Sequence, residues 1–315
     1  MADATQVPTT DEVLAGFSLT GRSILVTGGT GGLGEETARA LAAAGADVLV
    51  TGRDLAGAGR AADRIRALHP GALVTPVALD LGSLASVRAC VAAVLALRPS
   101  LTAVIANAGV MAAPPGRTAD GFETHFGVNH LGHFALVNGL LPALEAGAPS
   151  RVVVLSSLGH RWADIDLDDP NIERRPYRRF QAYGASKTAN VLFAVELDRR
   201  LRERGVRGYA VHPGGIQTDL GRHLSESDRA KLSAGTAAQS TAYRTIPQGA
   251  ATSVWAATTP VLDHVGGVYL EDCAIAPVTG PEATTGVREF AVDPARALRL
   301  WTLSEQLAGM MADER

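Results

Sequence analysis

Lysine is nearly missing from this chain. Of its 29 basic residues only Lys187 and Lys231 are lysines, so a lysine at a chemically suggestive spacing is hard to ascribe to composition. Cysteine is as scarce: Cys90 and Cys273 have neither metal-ligand nor redox spacing, which argues against a zinc site or a disulfide framework. Cys90 lies in an apolar helical pattern and is expected as a small core residue. Positive charge is not in excess either. A net charge of −3 leaves no basic footprint for nucleic acid and no polybasic membrane signal. No apolar run approaches the roughly 18 residues that suggest a membrane span. The segment from Met1 to Gly16 carries Asp3, Asp11 and Glu12 and lacks the basic and apolar regions of a signal peptide. The expectation is a soluble cytoplasmic protein with a polar tail over residues 1–18.

What is present is a strand–helix alternation. The 315 residues, 46% hydrophobic, suffice for one large α/β domain over 19–315, with no internal repeat and no dividing linker. Short apolar runs at Ser23–Thr27, Asp47–Thr51, Leu73–Leu79, Thr102–Ala106, Arg151–Leu155, Val206–Val211 and Gly267–Leu270 read as about seven strands. Helical spacing falls between them, at Glu35–Ala44, from Leu55, at Ser83–Leu97, Gly121–Leu141, Phe180–Glu203 and Gln248–Thr258, with a C-terminal helical extension at Ala295–Leu307. This alternation demands a doubly wound parallel sheet with helices on both faces and a ligand crevice beyond the carboxyl ends of the strands.

The first strand runs into Gly28-Gly29-Thr30-Gly31-Gly32-Leu33-Gly34 and then a helix. Strand, glycine loop and helix together point to a dinucleotide site, with backbone N–H groups facing a pyrophosphate at the positive end of the helix. After the second strand, Gly52 stands where an acid would bind the ribose of NAD, and Arg53 follows, which suits the 2′-phosphate of NADP. Asp54 either caps the next helix or reaches the ribose. Asp80, directly after the third strand, either accepts from an adenine amino group or caps its loop.

Tyr183 and Lys187 are four apart on a helix, within about 40° of each other, so one face aims a phenol and an ammonium at the same volume. A cation there favours tyrosinate and draws the phenol toward neutrality as a proton donor or acceptor.

Thr27 to Gly34, Asn107-Ala108-Gly109, Asn129, Ser157, Tyr183-x-x-x-Lys187 and Pro213-Gly214 occur in this order, and over residues 20–270 the chain resembles the short-chain dehydrogenase/reductase family. Val153–His160 and Val268–Cys273 look like its retinol-dehydrogenase-like and oxidoreductase branch. The resemblance implies a Rossmann fold and hydride transfer between NADP(H), NAD(H) being less favoured, and a lipophilic alcohol, aldehyde or ketone. It implies Tyr183 as general acid or base and Ser157 as donor to the substrate oxygen. Lys187 would hold the nicotinamide ribose, and Asn129 would place a water that links Lys187 to solvent. Thr218 would meet the carboxamide, and Asn107 the adenosine side or the sheet. Cofactor contacts extend to Thr30, Leu33, Leu81, Ala108, Gly109, Pro213, Gly214 and Ile216, with a substrate lid over 220–246.

Two points stay open within the resemblance. Gly28, Gly32, Gly34 match the dehydrogenase spacing, and Gly28, Gly31, Gly34 an epimerase-like one. The interval from Ser157 to Tyr183 is also about twice the family's usual one. Its acidic run, Asp164, Asp166, Asp168 and Asp169, lacks the glycine and terminal glutamate of a calcium loop, so a solvated loop bordering the site is expected and no metal. A homodimer or homotetramer through the Tyr–Lys helix is open, since the C-terminal extension would cover that surface. The alternatives to an oxidoreductase are a catalytically silent nucleotide-sensing protein and an epimerase or dehydratase that retains its cofactor.

Overall fold

The computed structural model describes residues 7–230, 232 and 243–310. Seven parallel strands form one sheet: β1 (Ser23–Val26), β2 (Asp47–Gly52), β3 (Val74–Ala78), β4 (Ala103–Ala106), β5 (Ser150–Leu155), β6 (Val206–His212) and β7 (Val268–Glu271). The order is β3-β2-β1-β4-β5-β6-β7, and the short β8 (Ala274–Ile275) adds an antiparallel edge. Another pair, β9 (Val278–Thr279) and β10 (Val287–Arg288), stands apart from it. These two-residue strands carry no period for a sequence to display. The central strands read as apolar runs because both faces are covered. Separate clusters around Leu25, Val104 and Phe193 and around Val26, Val48 and Ile105 fill the two sides. Chain direction across the sheet reverses between β1 and β4, so the loops after them part and open a crevice.

The helices include α1 (Thr10–Val13), α2 (Gly32–Ala43), α3 (Leu55–Leu68), α4 (Leu84–Leu97), α5 (Gly132–Gly139), α6 (Leu141–Ala146), α7 (Arg179–Leu201), α8 (Ile246–Thr258) and α9 (Pro294–Leu307). The helix expected over 121–141 is interrupted. Phe126–Leu131 forms a π-helical turn, α5 follows, and Pro142 opens the separate α6. Within the expected tail, α1 carries a Thr9/Glu12 capping box and buries Thr10. Among the described residues, no helix is long and apolar enough to cross a membrane.

α7 is enclosed: every residue from Ala182 to Ala194 is buried. One cover is α9, whose Trp301 packs on Phe134 and Phe193 at 5.0 and 5.8 Å between ring centroids, while Ser304 meets His130 at 2.8 Å. The acidic insert is not a solvated loop. Asp164 and Asp168 pair with Arg296 and Arg299 of α9 at 2.7 and 3.2 Å, and the intervening Ile165 and Leu167 are buried. Opposite charge on the docked helix, with apolar residues alternating between the carboxylates, explains the difference. Cys90 is a core residue, as expected.

Candidate active site

β1 delivers the glycine loop to the crevice. Gly28 and Gly32 have φ of +64° and +55°, and a Cβ built on Gly34 would lie 2.3 Å from the Gly28 carbonyl oxygen. Gly31 is extended at φ −179° with open space around it. Of the alternatives Gly31 and Gly32, the constrained one is therefore Gly32, which with Gly28 and Gly34 makes the dehydrogenase spacing. Asn107 fixes the loop from the next strand, its Nδ2 donating to the Thr27 carbonyl at 2.8 Å, and the Ala108 N–H donates to Thr27 Oγ1 at 3.0 Å. Of the two readings for Asn107, its side chain takes the sheet. Across the crevice, Thr218 comes within 3.5 Å of a Cβ placed on Gly32, and Leu33 and Ile216 meet at Gly249.

The first turn of α2 has no side-chain cap, whereas Asp54, Ser83, Thr245 and Asp293 cap α3, α4, α8 and α9. Uncapped N–H groups beside a glycine cradle fit a pyrophosphate. Arg53 is exposed at the end of β2, and Asp54 accepts from the Gly57 N–H at 2.6 Å, which is the capping alternative. Asp80 is exposed and accepts from the Gly82 N–H at 2.9 Å; Leu81 beside it is buried.

Four side chains converge beyond β4 and β5. Tyr183 is 3% exposed, and Lys187 Nζ sits 5.6 Å over its ring while donating to the Leu155 carbonyl at 2.8 Å. Ser156 Oγ donates to the Lys187 carbonyl at 2.9 Å, so Ser156 serves the backbone of α7. Ser157 Oγ accepts from the Gly159 N–H at 3.0 Å, and a Cβ on Gly159 would lie 2.8 Å from the Tyr183 ring and 3.4 Å from Ser157 Oγ, so the two side chains adjoin there. Asn129, on the π-helical turn, accepts from the Val110 N–H at 2.8 Å and donates to Ser186 Oγ at 2.9 Å. A Cβ on Gly109 would lie 3.0 Å from Asn129 Oδ1 and 3.8 Å from Lys187 Nζ, so both face that space. Pro213 and Gly214 lie at the end of β6, where Arg244 crowds Gly214. Of the expected lid, residues 231 and 233–242 lie outside the described ones.

Electrostatics differ from the expectation for Tyr183. Burial pushes its phenol up to about 12, opposed by the Ser157 hydroxyl, and burial pushes Lys187 down to about 7. The ammonium faces a carbonyl and the ring rather than the phenol oxygen, so desolvation outweighs attraction.

Three positioning histidines have no signal beyond their proximity to motif residues. His133 joins Thr27 Oγ1 (2.9 Å) to the Asn129 carbonyl (3.0 Å). His160 lies 2.7 Å from the Ser157 carbonyl and accepts from the Arg288 N–H at 3.1 Å. His212 accepts from the Leu158 N–H at 3.3 Å. Burial lowers His133 and His160 to about 4, and His130 and His212 to about 3. Between about pH 4 and 6.5 the unfolded chain therefore holds more protons than the folded one, and stability rises with pH. The urea midpoint is expected to drop steadily from pH 6.5 to 4.5; a flat midpoint over that range would contradict these assignments.

The short chain dehydrogenase family model matches residues 22–229. The chain is similar to retinol dehydrogenase 12 of Homo sapiens, at 41% identity over 93% of this chain and 88% of that protein. Among solved structures, an uncharacterised protein from Mycobacterium paratuberculosis superposes with a TM-score of 0.74, at 35% identity over 96% of this chain and 98% of that one. A short chain dehydrogenase from Burkholderia cenocepacia in complex with NADP gives 0.64, at 27% identity over 80% and 96%. The glycine cradle, the Tyr–Lys helix and these likenesses agree: the chain belongs to the short-chain dehydrogenase/reductase family of oxidoreductases.

Proposed function

We propose that the protein reduces a lipophilic aldehyde or ketone, or oxidises the corresponding alcohol, with NADP(H) and with Tyr183 as general acid or base. The observation that carries this reading is the convergence of Tyr183, Ser157, Lys187 and Asn129 where the glycine loop opens. NADPH, when bound, supplies the hydride that reaches the carbonyl carbon. The Tyr183 hydroxyl gives its proton to the carbonyl oxygen, and Ser157 donates a hydrogen bond to the same oxygen as charge develops there. Lys187, surrendering its bond to Leu155, would hold ribose hydroxyls and favour the tyrosinate left behind. A water beside Gly109, between Asn129 Oδ1 and Lys187 Nζ, returns the proton from solvent. The glycine loop and the first turn of α2 hold the pyrophosphate, with Thr218 opposite.

Two features support NADP over NAD. A Cβ on Gly52 would lie 2.6 Å from Thr30 Cγ2, leaving no room for an acidic side chain at that strand end. Arg53, exposed beside it, offers a guanidinium to a 2′-phosphate. Arg53→Ala is expected to raise the KM for NADPH by roughly tenfold or more, the worth of a charged hydrogen bond, and to leave NADH unchanged. Initial rates with both nucleotides against a panel of aldehydes and ketones test the whole reading. Tight NADPH binding without NADPH oxidation by any carbonyl compound would point to the silent alternative.

A further inference from the structure

A buried polar cluster stands beside Tyr183 that the chemistry above does not use. Glu123 is 3% exposed. Its Oε1 accepts from the His125 N–H at 2.9 Å, the His125 Nδ1–H at 2.8 Å and the Tyr177 hydroxyl at 3.2 Å, and its Oε2 accepts from the Phe126 N–H at 2.8 Å. His125 Nε2 accepts from the Ala113 N–H at 3.2 Å, which leaves the ring hydrogen on Nδ1. Tyr177 also reaches the Ala113 carbonyl at 3.1 Å. The acid, the imidazole and the phenol thus tie the insert between Ser157 and Tyr183 to the loop after β4. That loop is strained: Ala112 has φ +52°, in the left-handed region, and such a conformation persists only where its surroundings over-determine it.

What the cluster braces is a wall. Pro114 and Pro115 continue the strained loop and, with Tyr177, Phe180 and the neighbouring Arg178, Arg179 and Gln181, line an open groove of about 640 Å³. Ring contacts connect the residues around it to Tyr183. Trp162 lies 5.7 Å from Phe180 and 6.0 Å from Tyr183, and His125 lies 6.2 Å from Tyr183, between ring centroids. A tail that runs from a carbonyl at Tyr183 past Trp162 would meet Phe180 and, across from it, Pro114 and Pro115.

We infer that Tyr177 is a positioning residue that sets which carbonyl compounds are admitted. Seated on the Glu123–His125 pair, it holds the Pro114–Pro115 wall opposite Phe180 and so forms the subsite for the apolar tail of an extended substrate. The inference rests on Tyr183 being the proton donor.

Tyr177→Phe keeps the ring and removes the hydroxyl. With NADPH, kcat/KM for octanal is expected to fall by roughly tenfold, the worth of one lost buried hydrogen bond, and to fall through KM. Propanal, too short to reach the wall, and the KM for NADPH should not change. Equal losses for both aldehydes, or none, would overturn the inference. Pro115→Gly loosens the wall without touching the cluster and should show the same octanal-selective loss if Tyr177→Phe fails to fold. Calorimetric binding of octanamide, which cannot react, separates the two readings. Selective weakening in Tyr177→Phe supports the wall even if wild type turns over neither aldehyde, a result that would defeat only the proton-donor reading. No selective weakening in either assay defeats the wall.

Discussion

Tyr183→Phe is expected to lower kcat for carbonyl reduction by about three orders of magnitude while NADPH binds with near-wild-type affinity. The size follows from the 10²–10⁴-fold that a positioned general acid contributes. The specificity follows from packing. A Cβ on Gly159 would lie 2.8 Å from the Tyr183 ring, and His125 and Trp162 flank the same ring, so phenylalanine fills the same space. Only the hydroxyl, which adjoins Ser157, is lost. Single-turnover mixing of enzyme, NADPH and aldehyde separates the hydride step from product release. Wild-type-like turnover in the variant would end the assignment of Tyr183, and a parallel loss of NADPH binding would mean that the change had disturbed the nucleotide site instead.

Gly34→Val is expected to lower NADPH affinity by about two orders of magnitude and to destabilise the fold by about 1–3 kcal/mol, the usual range for overpacking. The atoms a Cβ would strike cannot retreat. One is the Gly28 carbonyl oxygen at 2.3 Å, and the other is Asn107 Nδ2 at 2.4 Å, itself bonded to Thr27. Relief requires α2 to lift from β1, which withdraws its N–H groups from the crevice. Gly31→Ala is the control. With an extended backbone and nothing within 4 Å, it should shift stability by no more than about 0.5 kcal/mol and keep the nucleotide. Fluorescence titration with NADPH and urea unfolding measure both effects. Similar behaviour of the two variants would refute the spacing assigned to the loop.

The strands were legible because doubly covered parallel strands leave continuous β-branched runs, as in Asp47–Gly52. Tyr183 and Lys187 were legible as a pair because helical spacing alone brings them together. The direction of their pKa shifts was not, because it depends on how α9 and the insert bury α7. The glycine spacing stayed ambiguous for a similar reason: what separates Gly32 from Gly31 is backbone conformation, φ +55° against an extended −179°, which the letters do not carry. Ile165 and Leu167 alternate with Asp164, Asp166 and Asp168 over too few residues to mark a buried face, so the docking of this segment depends on Arg296 and Arg299 of a distant helix. His133 could not be placed from sequence at all, since its partner Thr27 lies 106 residues away.

The packing of Trp301 on Phe193 of α7 and of Ser304 on His130 also constrains how the molecule is made. Ser304 closes over His130 from 174 residues downstream, so during synthesis the seat of α9 stands open after Asn129, Tyr183 and Lys187 have all emerged. An aromatic socket formed by Phe134 and Phe193 then waits for its own late-arriving plug, and a chain stopped before Pro294 would present that socket to chaperones and neighbouring nascent chains.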